Sequence, residues 1–285
     1  MTLINTIIQG VLLGGLYALY AAGLSLIFGV MRLVNLAHGD FIVLAAYVIL
    51  ALSTAFFIPP FWAMLIALPF LFALGWALQR VILNRTVEEN LLVPLLVTFG
   101  LQIIIQNGLL EAFTANSRRL SLGGIESASL TVGGISLGVM PLFTFAAAVA
   151  VIGGLSALFY MTALGRKLRA TSDNRTYVQI VGINPHKVFA IAMGLAFIVI
   201  AIAAFFMGAR SNFDPSQGPA RLLFAFEAVV IGGLGSLWGT LAGGVILGVS
   251  QAIGAAIHPQ YQILVGHIVF LLIILVRPRG LFPKQ

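Results

Sequence analysis

Residues 188–209 read VFAIAMGLAFIVIAIAAFFMGA, a run without a single charged side chain. At 1.5 Å per residue, a helix of this length crosses the ~30 Å hydrocarbon core of a bilayer. The run does not stand alone. Stretches free or nearly free of charge recur at about 3–30, 41–58, 61–79, 91–112, 139–163, 223–257 and 262–276. The chain of 285 residues is 60% hydrophobic and 8% charged, with a mean hydropathy of +1.09. An ordinary soluble domain carries roughly 25% charged residues, so this one cannot clothe a water-facing surface. A β-barrel would alternate apolar and polar residues over segments of about 10 residues, whereas these runs are continuous and longer. The fold class is therefore all-α: a polytopic transmembrane helical bundle of about eight spans, forming a single domain over 1–285. No charge occurs before Arg32. A secretory signal would open with basic residues, so the first run reads as a retained span.

Just before the quoted run the composition reverses. Residues 165–188, GRKLRATSDNRTYVQIVGINPHKV, hold Arg166, Lys167, Arg169, Arg175 and Lys187, five of the 15 basic residues. A net charge of +7 and a pI near 10.3 would suggest nucleic acid for a soluble domain. Here there is neither a basic stripe with interleaved aromatics nor a nucleic-acid motif, so the charge speaks first to topology. Basic loops stay cytoplasmic. With 164–187 inside, counting spans puts 80–90 and the C-terminal tail inside too. The N-terminus, 113–138 and 210–222 fall outside. Arg32, Arg80, Arg85, the five residues above, Arg277, Arg279 and Lys284 then give 11 basic residues inside. Arg118, Arg119, Arg210 and Arg221 give four outside. Cysteine is absent, which removes disulfides and thiolate metal sites. His258 and His267 lack metal-ligand spacing.

The basic loop also has local order. Ser172 or Asp173 suits a helix N-cap. Tyr177, Ile180 and Val181 fall at i, i+3 and i+4 and share a face. Gly182 suits a left-handed C-terminal cap, and Pro185 stops continuation. One helix of about ten residues is expected, too short to be stable alone in water. Its apolar face needs a partner. Either the loop is a topology signal resting on anionic lipid, or it is a docking helix for a cytoplasmic protein. Defined ends and an aromatic anchor favour the docking helix.

Two interruptions mark the apolar runs. Residues 223–257 must leave and return to one side, yet 35 residues are short for two full spans of about 20. Gly232, Gly233 and Gly235 would break a helix there, giving a half-membrane helix followed by a fuller one. Broken backbone at membrane depth is tolerated only inside protein or along a water-filled path. In the first half, VMRLVNLAHGDF at 30–41 places Asn35, His38 and Asp40 between two runs. One break per half suggests an internal pseudo-repeat. Asn35 and His38 read as interfacial capping groups or as path-lining groups, since polar side chains at membrane depth usually face the interior. Glu227, within AFEAVV, reads either as a structural partner of Arg210 or Arg221 near the outer surface, or as a contact for substrate or a second subunit.

Several of these stretches together resemble one family. GRKLRATSDNRTYVQIVGINPHKV is similar to the cytoplasmic coupling loop, G-x-x-x-R-A…G-I-N, of permeases of branched-chain (hydrophobic) amino acid ABC importers. NLAHGDF at 35–41 resembles the family's N-F-A-H-G-x element. AFEAVVIGGLGSLWGTLAGG at 225–244 resembles A-F-x-A-V-V-x-G-G-x-G-S-x-x-G, and RPRGLF at 277–282 matches the usual ending. The likeness covers essentially the whole chain, which looks like a LivH-type subunit. Leu36 replaces the commoner Phe, and Thr176-Tyr177 stands where small residues or Glu-Ala are usual. The resemblance implies a partner LivM-type permease, two cytoplasmic ATPase subunits, an extracytoplasmic binding protein, a small-molecule substrate and surrounding lipid in a bacterial inner membrane. It implies a translocation path at Asn35, His38, Gly39, Glu227, Gly232, Gly233 and Gly235. It implies ATPase coupling through Arg166, Arg169, Asp173, Tyr177, Ile180, Val181 and Gly182.

The chain lacks the G-x-x-x-x-G-K-[ST] phosphate loop, so ATP would be used by the partner subunits and no cofactor is expected in this one. No nucleophile elbow, metal cluster or carboxylate pair supports enzyme chemistry. The remaining alternative is a self-contained carrier or channel. Such a carrier needs ionisable groups in its core, and only Asp40, Glu111 and Glu227 qualify.

Overall fold

The structure is a computed structural model that describes residues 3–86, 92–132 and 135–282. The helices are α1 (Leu3–Met31), α2 (His38–Phe56), α3 (Pro60–Val81), α4 (Leu92–Phe113), α5 (Val139–Met161), α6 (Ala163–Asp173), α7 (Arg175–Ile180), α8 (Pro185–Arg210), α9 (Gly218–Gly232), α10 (Leu237–Ile257) and α11 (Tyr261–Val276). A small antiparallel hairpin, β1 (Ser129–Val132) and β2 (Ile135–Gly138), precedes α5. Seven helices, α1 to α5, α8 and α10, are long and apolar enough to cross a membrane. The run at 223–257 divides as the glycines predict: α9 has 15 residues, α10 has 21, and Gly233–Ser236 separate them. α9 starts earlier than the charge-free run, because Pro at its first turn presets the helical backbone there.

α1 is the axis of the bundle, most of its residues buried, and α8 is nearly as enclosed. α1 meets α10 through glycines spaced four apart: Gly10 and Gly14 face Gly244 and Gly248. A Cβ on Gly14 would lie 2.5 Å from the Cα of Val245, and one on Gly10 would lie 2.6 Å from that of Val249. Lipid offers no hydrophobic drive for helix pairing, so this close backbone contact supplies dispersion energy instead. α4 and α11 stand at the other extreme and expose most of their apolar side chains.

Backbone and side-chain bonds define the two ends of the bundle. At one end Ser172 reaches the Gly29 carbonyl, Arg175 the Met31 carbonyl, and Asn84 the His186 carbonyl. At the other, the Arg118 and Leu120 amides bond the carbonyls of Phe213 and Gly208. Every basic residue counted as inside from sequence, save Lys284 outside the described residues, gathers at the first end, called here the basic end. One basic residue departs from expectation. Arg221 lies in the first turn of α9 rather than in a loop, bonded to Gln217 at 2.5 Å with its guanidinium 6.0 Å from the Tyr20 ring.

Candidate functional site

The basic loop folds as two helices, not one. Thr162 caps α6 by accepting from the Gly165 amide at 3.0 Å. Its 163–173 stretch is rich in good helix formers, so the helix runs to Asp173. Asn174 then caps α7, accepting from the amides of Thr176 (2.9 Å) and Tyr177 (3.1 Å). The expected cap at Ser172 or Asp173 is thus replaced by Asn174, an equally good capping residue one position on. Gly182 behaves as read. Its φ is +79°, and the Gly182 and Ile183 amides bond the carbonyls of Gln179 and Val178. That is the paired C-terminal closure which glycine permits.

The side chains of this element divide into two sets. Leu168, Thr171 and Val178 are buried. Arg169 donates to the Phe159 carbonyl at the end of α5, its guanidinium 5.0 Å from the Tyr160 ring. Arg175 donates to the Met31 carbonyl at 2.8 Å and lies 5.0 Å over Phe189. Both cations sit where helix C-terminal carbonyls gather partial negative charge. Arg166 and Lys167 remain outward. Tyr177, Ile180 and Val181 are 69%, 76% and 72% exposed, so the face predicted to need a partner is covered by none of the described residues.

Beside α6 the second break lies against the end of α1. Gly235, at φ +80°, faces Gly29, where a Cβ on either residue would crowd the other's backbone. Ser236 caps α10 by accepting from Gly239 at 3.2 Å. The tail fastens the break from the other side: the amides of Leu281 and Phe282 bond the carbonyls of Ile231 and Gly232 at 2.9 and 3.0 Å. Between the break and α6 is a cleft of about 430 Å³, where Ser25, Ser156, Arg169, Asp173, Gly235 and Trp238 meet. Residues of α6 and of the break, far apart in sequence, therefore share one cavity.

The first break is placed elsewhere, at mid-depth of α1. The Asn35 side chain accepts from the Ala37 amide at 3.0 Å. His38 donates through Nε2 to the Tyr20 carbonyl at 2.8 Å. Gly39 presses on the α9 N-terminus at Gly218, and Asp40 accepts from Gln106 at 2.8 Å. Asn35, His38 and Asp40 are fully buried within this one chain. Glu227, 1% exposed, pairs neither with Arg210 nor with Arg221. Arg210 donates to the Leu12 carbonyl, and the partner of Glu227 is His267 on α11, Nδ1 to Oε1 at 2.5 Å. His267 was weighed from sequence only as a metal ligand, and Gln106 and Gly218 were not singled out. A buried acid demands a partner, but one forty residues away leaves no local spacing to find.

A family model described as the permease component of the branched-chain amino acid transport system matches residues 6–276. The high-affinity branched-chain amino acid transport system permease protein BraD of Pseudomonas aeruginosa is 26% identical over 99% of this chain and 96% of its own length. The corresponding LivH protein of Escherichia coli K12 is 28% identical over 97% and 94%. A shorter likeness, 33% identity over 42% of the chain and 41% of the relative, links it to the ribose import permease protein RbsC of Escherichia coli K12. No solved structure matches the chain.

Proposed function

The chain belongs to the family of branched-chain amino acid transport system permease components, and from that premise we propose how it works. It forms half of a path for branched-chain amino acids or related small solutes, beside a second permease. Two ATPase subunits drive it, and an extracytoplasmic protein delivers substrate. The family places it among transport subunits rather than self-contained carriers. ATP is bound by the partners, and this subunit needs no cofactor of its own. The basic end faces the cytoplasm and the α1 N-terminus faces outside, in keeping with the gathering of cations there. The path runs near the breaks at 35–40 and 227–235, with Asn35, His38, Gly39 and Glu227 on its wall or just behind it.

One observation carries the coupling assignment. α7 and its closing turn present Tyr177, Ile180 and Val181 outward, while Ser172 and Arg169 pin α6 to the bundle and Arg175 pins the start of α7. Apolar anchors that fill a partner's pocket dominate binding energy. A pinned helix transmits displacement: a push on α7 passes through α6 to the end of α1 and so to the Gly29–Gly235 contact. Energy used by the ATPases thereby reaches the break. Asp173 ends α6 at the cleft and Gly182 turns the chain back to α8. The test is Tyr177→Ala combined with Ile180→Asp in the co-expressed complex. The membrane subunits should purify folded and lose the ATPases, because burying such a side chain is worth roughly 1.5–3 kcal/mol and a charge forfeits it. Retention of the ATPases with normal transport-stimulated hydrolysis would reduce the loop to a topology signal.

A further inference from the structure

We propose that the cleft at the basic end is a binding site, within this single subunit, for a zwitterionic α-amino acid with an apolar side chain. Its volume of about 430 Å³ lies in the range of small-molecule sites, roughly 300–1,000 Å³. Its lining offers one cation and one anion on the same helix. Arg169 and Asp173 are four residues apart on α6 and so share a face, and both line the cavity. Among the described residues no ion pair joins them. Arg169 uses one N–H on the Phe159 carbonyl, and a guanidinium carries five. The others suit a carboxylate, the partner whose geometry a guanidinium matches best. Asp173, exposed at the end of α6, suits an ammonium.

Ser25 and Ser156 add two small polar residues to the lining. Leu26, Leu237, Trp238 and Tyr160 give the same lining an apolar part. A charged pair of opposite sign beside an apolar wall matches a hydrophobic amino acid better than a sugar, an anion or a lipid chain. The larger cavity at the opposite end, with Pro60, Met140 and Phe205 among its lining, has no charged lining residue and lacks this chemistry. A ligand in the cleft touches α1, α5, α6 and α10 together, so it would bridge the coupling element and the break.

The inference rests on the transport reading only for its choice of leucine as probe. Purified complex in nanodiscs, carrying Trp62→Phe and Trp76→Phe, leaves Trp238 as the fluorescent reporter in this subunit. L-Leucine should change its emission saturably. 4-Methylpentanoate, which lacks the ammonium, and 3-methylbutylamine, which lacks the carboxylate, should each bind at least about tenfold more weakly, the loss expected for one charge-assisted hydrogen bond. Asp173→Asn should weaken leucine by a similar factor yet leave 4-methylpentanoate unchanged. Calorimetric titration of the same variants checks that the optical signal reports binding. No saturable response, binding of either analogue as tight as that of leucine, or an unaltered leucine affinity in Asp173→Asn would overturn the proposal. Such a result alongside intact leucine uptake would sink this site alone. Loss of the ATPase contact is read separately by the Tyr177 and Ile180 variant.

Discussion

The two breaks in this chain solve the same problem in opposite ways. Each takes backbone out of a helix inside a membrane, where unpaired polar groups are expensive. The first is filled by side chains: Asn35, His38 and Asp40 are buried and each makes one bond, to Ala37, Tyr20 and Gln106, while Asn35 Nδ2, His38 Nδ1 and Asp40 Oδ2 have no partner among the described residues. The second is closed by backbone. Gly233 accepts from the Ser236 amide, and the tail amides take the carbonyls of Ile231 and Gly232. No side chain fills the space, so a cleft remains beside it. A break filled with side chains fastens α2 to α1 and α4. A break made of glycine, with both Gly233 and Gly235 at positive φ, turns the chain and leaves room for movement.

The sharpest way to break this comparison is Gly39→Val. A Cβ at Gly39 would overlap the Gly218 carbonyl and lie 2.6 Å from the Leu222 amide nitrogen. Both obstacles are backbone, so no rotamer change relieves them. The expected cost exceeds about 3 kcal/mol, the upper range for overpacked cores. Size-exclusion chromatography and thermal melting in detergent should show loss of the monodisperse subunit. A variant that elutes and melts like the parent would mean that the first break is loose and the contrast false.

The next effect concerns Glu227, which lies on α9 between the two breaks. His267→Ala leaves its carboxylate buried without its one hydrogen-bond partner among the described residues, since the second oxygen has none there. The expected loss is about 1–3 kcal/mol, toward the lower value because the His267 side chain is 32% exposed and partly screened. Glu227→Gln combined with His267→Ala should recover part of it, since a neutral amide tolerates the site better than an unpaired charge. Melting temperatures of the parent, the two single variants and the double variant form the cycle. A loss in the double variant equal to the sum of the two single losses would show that the pair carries no coupling.

What was legible in the sequence follows from the range of each signal. Long apolar runs fix helices by length alone, and the Gly232–Gly235 cluster announced its break because glycine acts on its own backbone. Gly182 and the exposed face of α7 were readable for the same local reason. The capping position was missed by one or two residues because Ser172, Asp173 and Asn174 are all good caps. Only packing chose among them: the Ser172 hydroxyl goes to the Gly29 carbonyl instead. Contacts such as Glu227 with His267, Asp40 with Gln106, and Gly39 with Gly218 depend on which helices meet. Composition in a membrane chain says little about that, because nearly every face is apolar.

The smallest predicted effect separates the two reasons for keeping a glycine. Gly39 is needed for space, whereas Gly182 is needed for its angle. A Cβ at Gly182 would meet nothing within 4 Å, yet its φ of +79° disfavours an L-residue. Gly182→Ala should therefore cost only about 1 kcal/mol, the usual penalty for a left-handed alanine. The cost falls on the closure of α7, a six-residue helix with a single buried side chain, Val178. The subunit should fold and melt like the parent. Its affinity for the ATPase subunits should drop about fivefold, the same free energy expressed as binding. Gly182→Asn should stand between the two, since asparagine enters the left-handed region more readily than alanine. Titration of the ATPases onto immobilised membrane subunits reads all three. If alanine and asparagine weaken docking equally, the side chain rather than the backbone angle is at fault, and the Gly182 turn lies within the docked surface.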